Sequence, residues 1–215
     1  EVDEFNVGAI TDSNAATNSV AENAANGSTV GLTANATDAD ATNNTVTYTL
    51  SNNAGGRFAI NSTSGVVTVA NGTLLNYETA LSYSITVVAT STDGSTASQA
   101  FTINLSDVDE FDVGAVTDVN AAANSVAENA ANGTVVGVTA RATDADRSNN
   151  TITYTLTNNA GGRFAINSAS GIVTVANGTL LNYEAATSHS ITVRATSADG
   201  STSSQAFTIS LTDVD

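Results

Sequence analysis

The residues of this chain best suited to chemistry are carboxylates, and they are crowded. The stretch "LSDVDEFDVG", residues 105 to 114, carries Asp107, Asp109, Glu110 and Asp112. The nearest cations along the chain are Arg57 on one side and Arg141 on the other. Like charges this dense repel by about 1 kcal/mol per close pair even in water-like surroundings. An external cation must neutralise them, or the stretch must stay a solvated loop. Further acids recur in pairs at Asp38-Ala39-Asp40 and Asp144-Ala145-Asp146.

Other chemistry lacks its parts. No Cys is present, so there is no disulfide, thiolate metal site or cysteine nucleophile. His189 is the only histidine, which leaves any serine in the first half of the chain without a general base. Its counterpart there is Tyr83, and a position shared by Tyr and His reads as a half-exposed strand residue. Glu78 and Glu184 resemble a glycosidase acid pair in type, but they are equivalent positions of separate copies and cannot converge on one substrate. Arg57 and Arg163 follow "AGG" and read as turn cations pairing with a nearby carboxylate. "NNAGG" is a turn signal rather than a phosphate loop, since no Lys or helix follows. The chain is not expected to be an enzyme.

Composition narrows the partners. Twenty-one acidic residues face 5 basic ones, a net charge of −16, and all five are Arg. No basic patch can displace counterions from nucleic acid, and an anionic membrane surface is excluded for the same reason. No run of 18 apolar residues indicates membrane insertion. Such a charge suits a salty exterior or a cation-rich site.

The elements that hold these residues come in two copies. "VDEFNVGAITDSNAATNSVAENAANG" from Val2 returns as "VDEFDVGAVTDVNAAANSVAENAANG" from Val108, an offset of 108 − 2 = 106 that also relates Tyr77 to Tyr183 and Phe101 to Phe207. The division expected is 1–109 and 110–215. The chain opens on "EVDEF" and closes on "DVD", the start of a third linker, and reads as a piece of something longer. Val, Ile and Thr abound beside Ala, and turns must rely on Gly, Asn, Asp and Ser because Pro is absent. Period two dominates: Val30, Leu32, Ala34 and Ala36; Val46, Tyr48 and Leu50; Phe58 and Ile60; Ile85, Val87 and Ala89; Gln99, Phe101, Ile103 and Leu105. Roughly seven short strands per hundred residues predict an all-β fold, two tandem immunoglobulin-like Greek-key sandwiches.

On these residues both copies resemble the cadherin repeat along their whole length. "VAENAANGTVVGVTARATDAD" is similar to its E-N pair, Gly turn and strand running into D-x-D. "GRFAINSASGIVTVANGTLLNYE" is similar to F-x-I-x-x-x-(T/S)-G-x-(I/V) followed by L-D-x-E, "SITVRATSADG" to V-x-A-x-D-x-x-G, and "DVDEF" to the D-x-N-D-N linker. The Thr- and Asn-rich, Lys-free composition resembles cadherin-like repeats of giant bacterial surface adhesins of the RTX type rather than animal cadherins.

The resemblance implies Ca²⁺ between successive repeats. Repeat one would give Glu22 and Glu78, and the linker Asp107, Asp109 and Glu110 with the carbonyl of Phe111. Repeat two would give Asp144 and Asp146 with the carbonyl of Asn149. Half-sites at the ends would use Glu1, Asp3, Glu4, Asp38 and Asp40, and Glu128, Glu184, Asp213 and Asp215. Oxygen-only sets of this kind suit Ca²⁺ better than the tighter octahedron of Mg²⁺. The chain departs from the pattern at Asn76 and Asn182, at Ser91 and Ser197 (with Asp93 and Asp199 two residues on), and at Glu110, so two or three ions are expected at the junction. The implied function is that of a calcium-rigidified extender of a secreted or bacterial cell-surface adhesin, of use in biofilm and cell adhesion. The alternative is a homophilic or carbohydrate-binding adhesion module. The expected partners are neighbouring repeats of the same chain, with cell-surface or glycan ligands reached through other domains. A monomer is expected.

Overall fold

A computed structural model describes residues 5–215. The chain divides between Val108 and Asp109 into two compact units. In unit 1 the strands are β1 (Thr11–Asp12), β2 (Ser19–Ala21), β3 (Thr29–Asn35), β4 (Val46–Asn52), β5 (Phe58–Ile60), β6 (Val66–Val69), β7 (Ser82–Ser91) and β8 (Thr96–Ser106). In unit 2 they are β9 (Thr117–Asp118), β10 (Ser125–Ala127), β11 (Val135–Arg141), β12 (Thr153–Asn158), β13 (Phe164–Ile166), β14 (Ile172–Val175), β15 (Ser188–Thr196) and β16 (Thr202–Thr212). A single 3₁₀ turn in each, Gly72–Leu74 and Gly178–Leu180, is the helical content of the described residues.

Each unit is a sandwich of two four-stranded sheets. Unit 1 pairs them as β1-β3-β6-β5 and β2-β8-β7-β4, and unit 2 repeats this as β9-β11-β14-β13 and β10-β16-β15-β12. The strand count is eight because the first strand is broken in two. Its first part pairs antiparallel with β3, and its second crosses to the other sheet and runs parallel to β8. Side chains make the break. Asp12 accepts the N–H of Asn14 at 2.9 Å, and Asn14 accepts that of Ala16 at 2.9 Å. Such local bonds satisfy the backbone without a ladder.

The predicted alternation describes the core. Val30, Leu32, Ala34, Phe58, Val67, Ile85, Val87, Ala89 and Ile103 are buried between the sheets, and unit 2 has the equivalent set. Gln99, read from its phase as inward, is exposed. The first half of β8 is a sheet edge, because β2 pairs with it only at Asn104–Ser106; Ile103 and Leu105 are buried, while Ala97 and Phe101 pack on the core partly exposed. Among the described residues Arg57 pairs with no carboxylate. Its guanidinium donates to the carbonyls of Leu74 (2.9 Å) and Ala54 (2.8 Å), and it lies 4.3 Å from the Tyr83 ring centroid. Arg163 makes the same two carbonyl bonds, to Leu180 and Ala160. His189 is half-buried with its ring 6.3 Å from that of Phe164.

Candidate metal centre

The parallel pairing of β2 with β8 carries Glu22 to the base of unit 1. Its own N–H donates to the Ser106 carbonyl at 3.0 Å, and its side chain is almost fully enclosed, 1% exposed. The carboxylate accepts two main-chain N–H groups, from Tyr77 at 2.7 Å and from Val108 at 3.0 Å. Tyr77 precedes Glu78 and Val108 follows Asp107, so both bonds draw further acids to Glu22. Glu22, Glu78 and Asp107 each bring an oxygen within 4.8 Å of the others. Burial pushes the Glu22 carboxyl above its ordinary 4.5, against the pull of the two N–H groups, and the Glu78 charge adds to the rise.

The base of unit 2 repeats the arrangement with Glu128, Glu184 and Asp213. Glu128 accepts the N–H of Tyr183 at 3.0 Å and of Val214 at 3.2 Å. Here the two N–H groups outweigh burial and hold the carboxyl below 4.5. The same residue in the same clasp is thus pulled in opposite directions, first according to how far burial desolvates it and then according to the acids beside it.

The other end of each sandwich gathers a second set. In unit 1, Asp38 and Asp40 follow β3, and Asp93 sits in the turn between β7 and β8; their oxygens lie within 4.8 Å of one another. Phe5 N–H donates to Asp40 at 3.3 Å. In unit 2 the set is Asp109, Asp146 and Asp199. Asp146 is 2% exposed and accepts the N–H groups of Glu110 (3.3 Å) and Phe111 (3.1 Å). The Asp109 carboxyl is raised above 3.8, first by desolvation, then by its contact with Asp146 and the charges of Asp199, Asp146 and Asp144.

The remaining residues singled out in the sequence fall around these sets. Asp144 accepts the N–H of Asp146 at 3.1 Å and takes a short bond from the Ser197 hydroxyl. The Asn149 carbonyl already receives the Ser197 hydroxyl at 3.0 Å and the Asp199 N–H at 3.2 Å. Glu110 and Phe111 are exposed, and both offer their N–H to Asp146. Asp112, the last acid of the opening stretch, is exposed and stands in none of the four groups; it is the solvated part of that run. Glu1, Asp3 and Glu4 lie outside the described residues. Asp93 and Asp199 belong to the clusters although the motif puts its acid two residues earlier, and the one signal for them was an Asp in "STDG" and "SADG".

The donor set is oxygen alone, three carboxylates at a time, as hard divalent cations require. Asp38 Oδ2 and Asp93 Oδ2 are closed off from solvent and have no hydrogen-bond partner. A buried anionic oxygen without donors is costly, and a bound cation removes that cost. The residues fit Ca²⁺.

Residues 16–106 and 123–212 match the cadherin domain family. The chain belongs to it. Its two cadherin domains are similar to protocadherin Fat 4 of Mus musculus, 34% identical over 166 residues, which is 76% of this chain and 3% of that protein. That relative is a mouse protein, and a bacterial or RTX-type origin is not shown by it. Among solved structures, mouse cadherin-23 EC22-24 superposes with a TM-score of 0.76 at 27% identity, covering 99% of this chain and 66% of that one. The protocadherin γB4 extracellular domain gives 0.78 at 22% identity, covering 100% and 33%, a likeness of fold. Cadherin domains are extracellular adhesion-type modules rather than enzymes, and they generally bind calcium. Among the described residues no helix is long and apolar enough to cross a membrane.

Proposed function

We propose that this pair of cadherin domains is a calcium-stiffened extender in a cell-surface adhesin, of the bacterial kind that its Lys-, Cys- and Pro-free composition resembles. The observation that carries the reading is the recurrence of the carboxylate sets. Each repeat has one at its base, built from equivalent residues, and one at its top that shares the equivalent pairs Asp40/Asp146 and Asp93/Asp199, and in the sequence Val108 alone separates Asp107 of one set from Asp109 of the next. A linker whose acids repel is mobile without metal. With Ca²⁺ those acids become ligands, and successive repeats are held as a rod that bears tension. A spacer needs length rather than a unique site, which suits copies this alike.

Affinity is expected at about 10⁻⁴–10⁻³ M per site, as in extracellular modules. Calcium raises the melting temperature because it binds the folded sets and not their dispersed residues in the unfolded chain. Small-angle scattering in millimolar calcium and in chelator tests the mechanical part. One narrow, extended distribution with calcium and a broad one with chelator is the expected result; identical curves would sink the extender.

A second reading, an adhesive surface, is favoured by one observation. Val119, Val135 and Ile172 of unit 2 are exposed (54, 60 and 37%), where unit 1 carries Ser13, Thr29 and Val66. Sedimentation of the chain at rising concentration in calcium decides it: self-association abolished by Val135→Thr supports adhesion, and a monomer at all concentrations supports the spacer.

A further inference from the structure

The family pattern V-x-A-x-D places an acid at the end of the seventh strand, where this chain has Ser91 and Ser197. Both serines are buried, 3% and 4% exposed, and their hydroxyls turn inward. Ser91 donates to the Asn43 carbonyl at 3.0 Å, and Ser197 to the Asn149 carbonyl at 3.0 Å. Asn43 and Asn149 both have left-handed backbone, φ 55° and 54°. The serines therefore brace the loop that follows the D-x-D pair, and their side chains are already engaged.

Two residues on, the turn into the last strand presents Asp93 and Asp199. One oxygen of each is tied down by the turn itself, accepting the N–H of Ser95 or Ser201 at 2.6 Å. The second oxygen of Asp93 is shut away from water with no donor, as is Asp38 Oδ2 in the same group. Hydrogen bonding within the fold thus accounts for half of this carboxylate and leaves the other half for a cation. In unit 2 the second oxygen of Asp199 accepts the Ser201 hydroxyl at 3.0 Å, and the carboxylate groups with Asp109 and Asp146.

We infer that Asp93 and Asp199 are metal ligands at the top of each repeat, replacing from two residues downstream the acid that Ser91 and Ser197 lack. This deepens the calcium reading above and rests on it. It keeps the top set at three carboxylates where the motif alone counts two. The serine takes the supporting role, since Ser197 also hydrogen-bonds Asp144 and orients it beside the set.

The test is calcium titration of the full 215-residue chain by calorimetry, beside melting curves in chelator, for wild type, Asp199→Asn, Asp93→Asn and Ser197→Ala. Asparagine keeps the acceptor for the Ser201 or Ser95 N–H and removes the charge, and at Asp199 also the acceptor of the Ser201 hydroxyl. Each Asp→Asn change should weaken one class of calcium site by about tenfold or more, a loss that even an outer-shell partner can produce, while the melt in chelator stays within a few degrees of wild type. Ser197→Ala should weaken binding less than either. If both Asn variants bind calcium as wild type does, or if Ser197→Ala loses as much as Asp199→Asn, the assignment is overturned while the calcium reading stands. If wild type takes up no calcium, both fall together. Should one Asn variant fail to fold, the equivalent change in the other unit carries the test.

Discussion

The carboxylate of Glu22 receives the main-chain N–H of Val108 at 3.0 Å, across 86 positions of chain. A residue read from the sequence as a metal ligand is therefore also the clasp that fastens the end of the last strand to the base of its own sandwich. Its other oxygen fastens Tyr77 in the same way. Removing the acid leaves two partly buried N–H groups without an acceptor. Glu22→Ala should cost unit 1 about 2–4 kcal/mol in chelator, the range for losing hydrogen bonds to a charged group. Glu22→Gln, which keeps one acceptor oxygen, should cost about 1–2 kcal/mol. Urea denaturation of both variants measures this, and equal stability of all three proteins would refute the clasp.

The two bases should answer acid in opposite directions when metal is absent. Glu22 holds its proton more readily folded than unfolded, its carboxyl being raised above 4.5 by burial. The folded state then binds more protons, so unit 1 gains stability as the pH falls from neutrality towards 4.5 and loses it as the pH rises. Glu128 is depressed below 4.5 by the N–H groups of Tyr183 and Val214. Its contribution is full above 4.5 and is lost as the pH falls through the folded value. Difference curves of melting temperature against pH, wild type minus Glu22→Gln and wild type minus Glu128→Gln in chelator, should slope oppositely. Parallel curves would contradict the assigned causes.

His189 should make unit 2 sensitive to mild acid. Burial, and then the Arg163 charge, push its pKa below 6.5, and Nε2 is enclosed without a hydrogen-bond partner. The unfolded chain takes up a proton near 6.5 and the folded one resists it, so stability present above 6.5 declines as the pH drops towards the folded value. Unit 1 has Tyr83 at this position, under the Arg57 guanidinium at 4.3 Å. His189→Tyr should abolish the decline between pH 7 and 5 and add about 0.5–1 kcal/mol from the cation–π contact. A variant with the wild-type acid profile would show that another group is responsible.

The short 3₁₀ turn admits no side chain at its first residue. A Cβ on Gly178 would overlap the carbonyl of Ala130, and one on Gly72 that of Ala24. Both are backbone atoms beside the glutamate clasp, so they cannot swing aside. Gly178→Ala should cost about 1–3 kcal/mol, as overpacking does, and should lower calcium binding at the base set with Glu128. Thermal unfolding with and without calcium reads both effects, and a neutral substitution would mean that the turn can shift.

Much of this molecule was legible in the chain itself. The period-two runs named the core faces of β3 and β7 because a strand buried on one side must alternate. The 106-residue offset named two domains. The acids at Glu22, Glu78, Asp107, Asp109 and Asp146 were marked through the resemblance to the cadherin motifs. What the order could not supply was three-dimensional closure. Gln99 kept the phase of β8 yet lies exposed, since it stands on the half of β8 that β2 leaves as a sheet edge, and only the pairing of strands decides that. Arg57 found carbonyls and an aromatic ring instead of an acid, because the turn that bears it folds back on β7.

The sequence by itself determined the class of fold, the number of repeats and the acidic, oxygen-only character of any site, because those follow from periodicity and composition. Only the tertiary structure decided which acids meet. The parallel pairing of β2 with β8 puts Glu22 beside Asp107, and a tight turn turns Asp93 and Asp199 into the groups from which Ser91 and Ser197 are missing. The environment, too, was settled by folding. Glu22 and Glu128 occupy equivalent positions with the same two kinds of bond, and their carboxyls shift in opposite directions, because desolvation and neighbouring charge depend on distances in space that spacing along a chain does not contain.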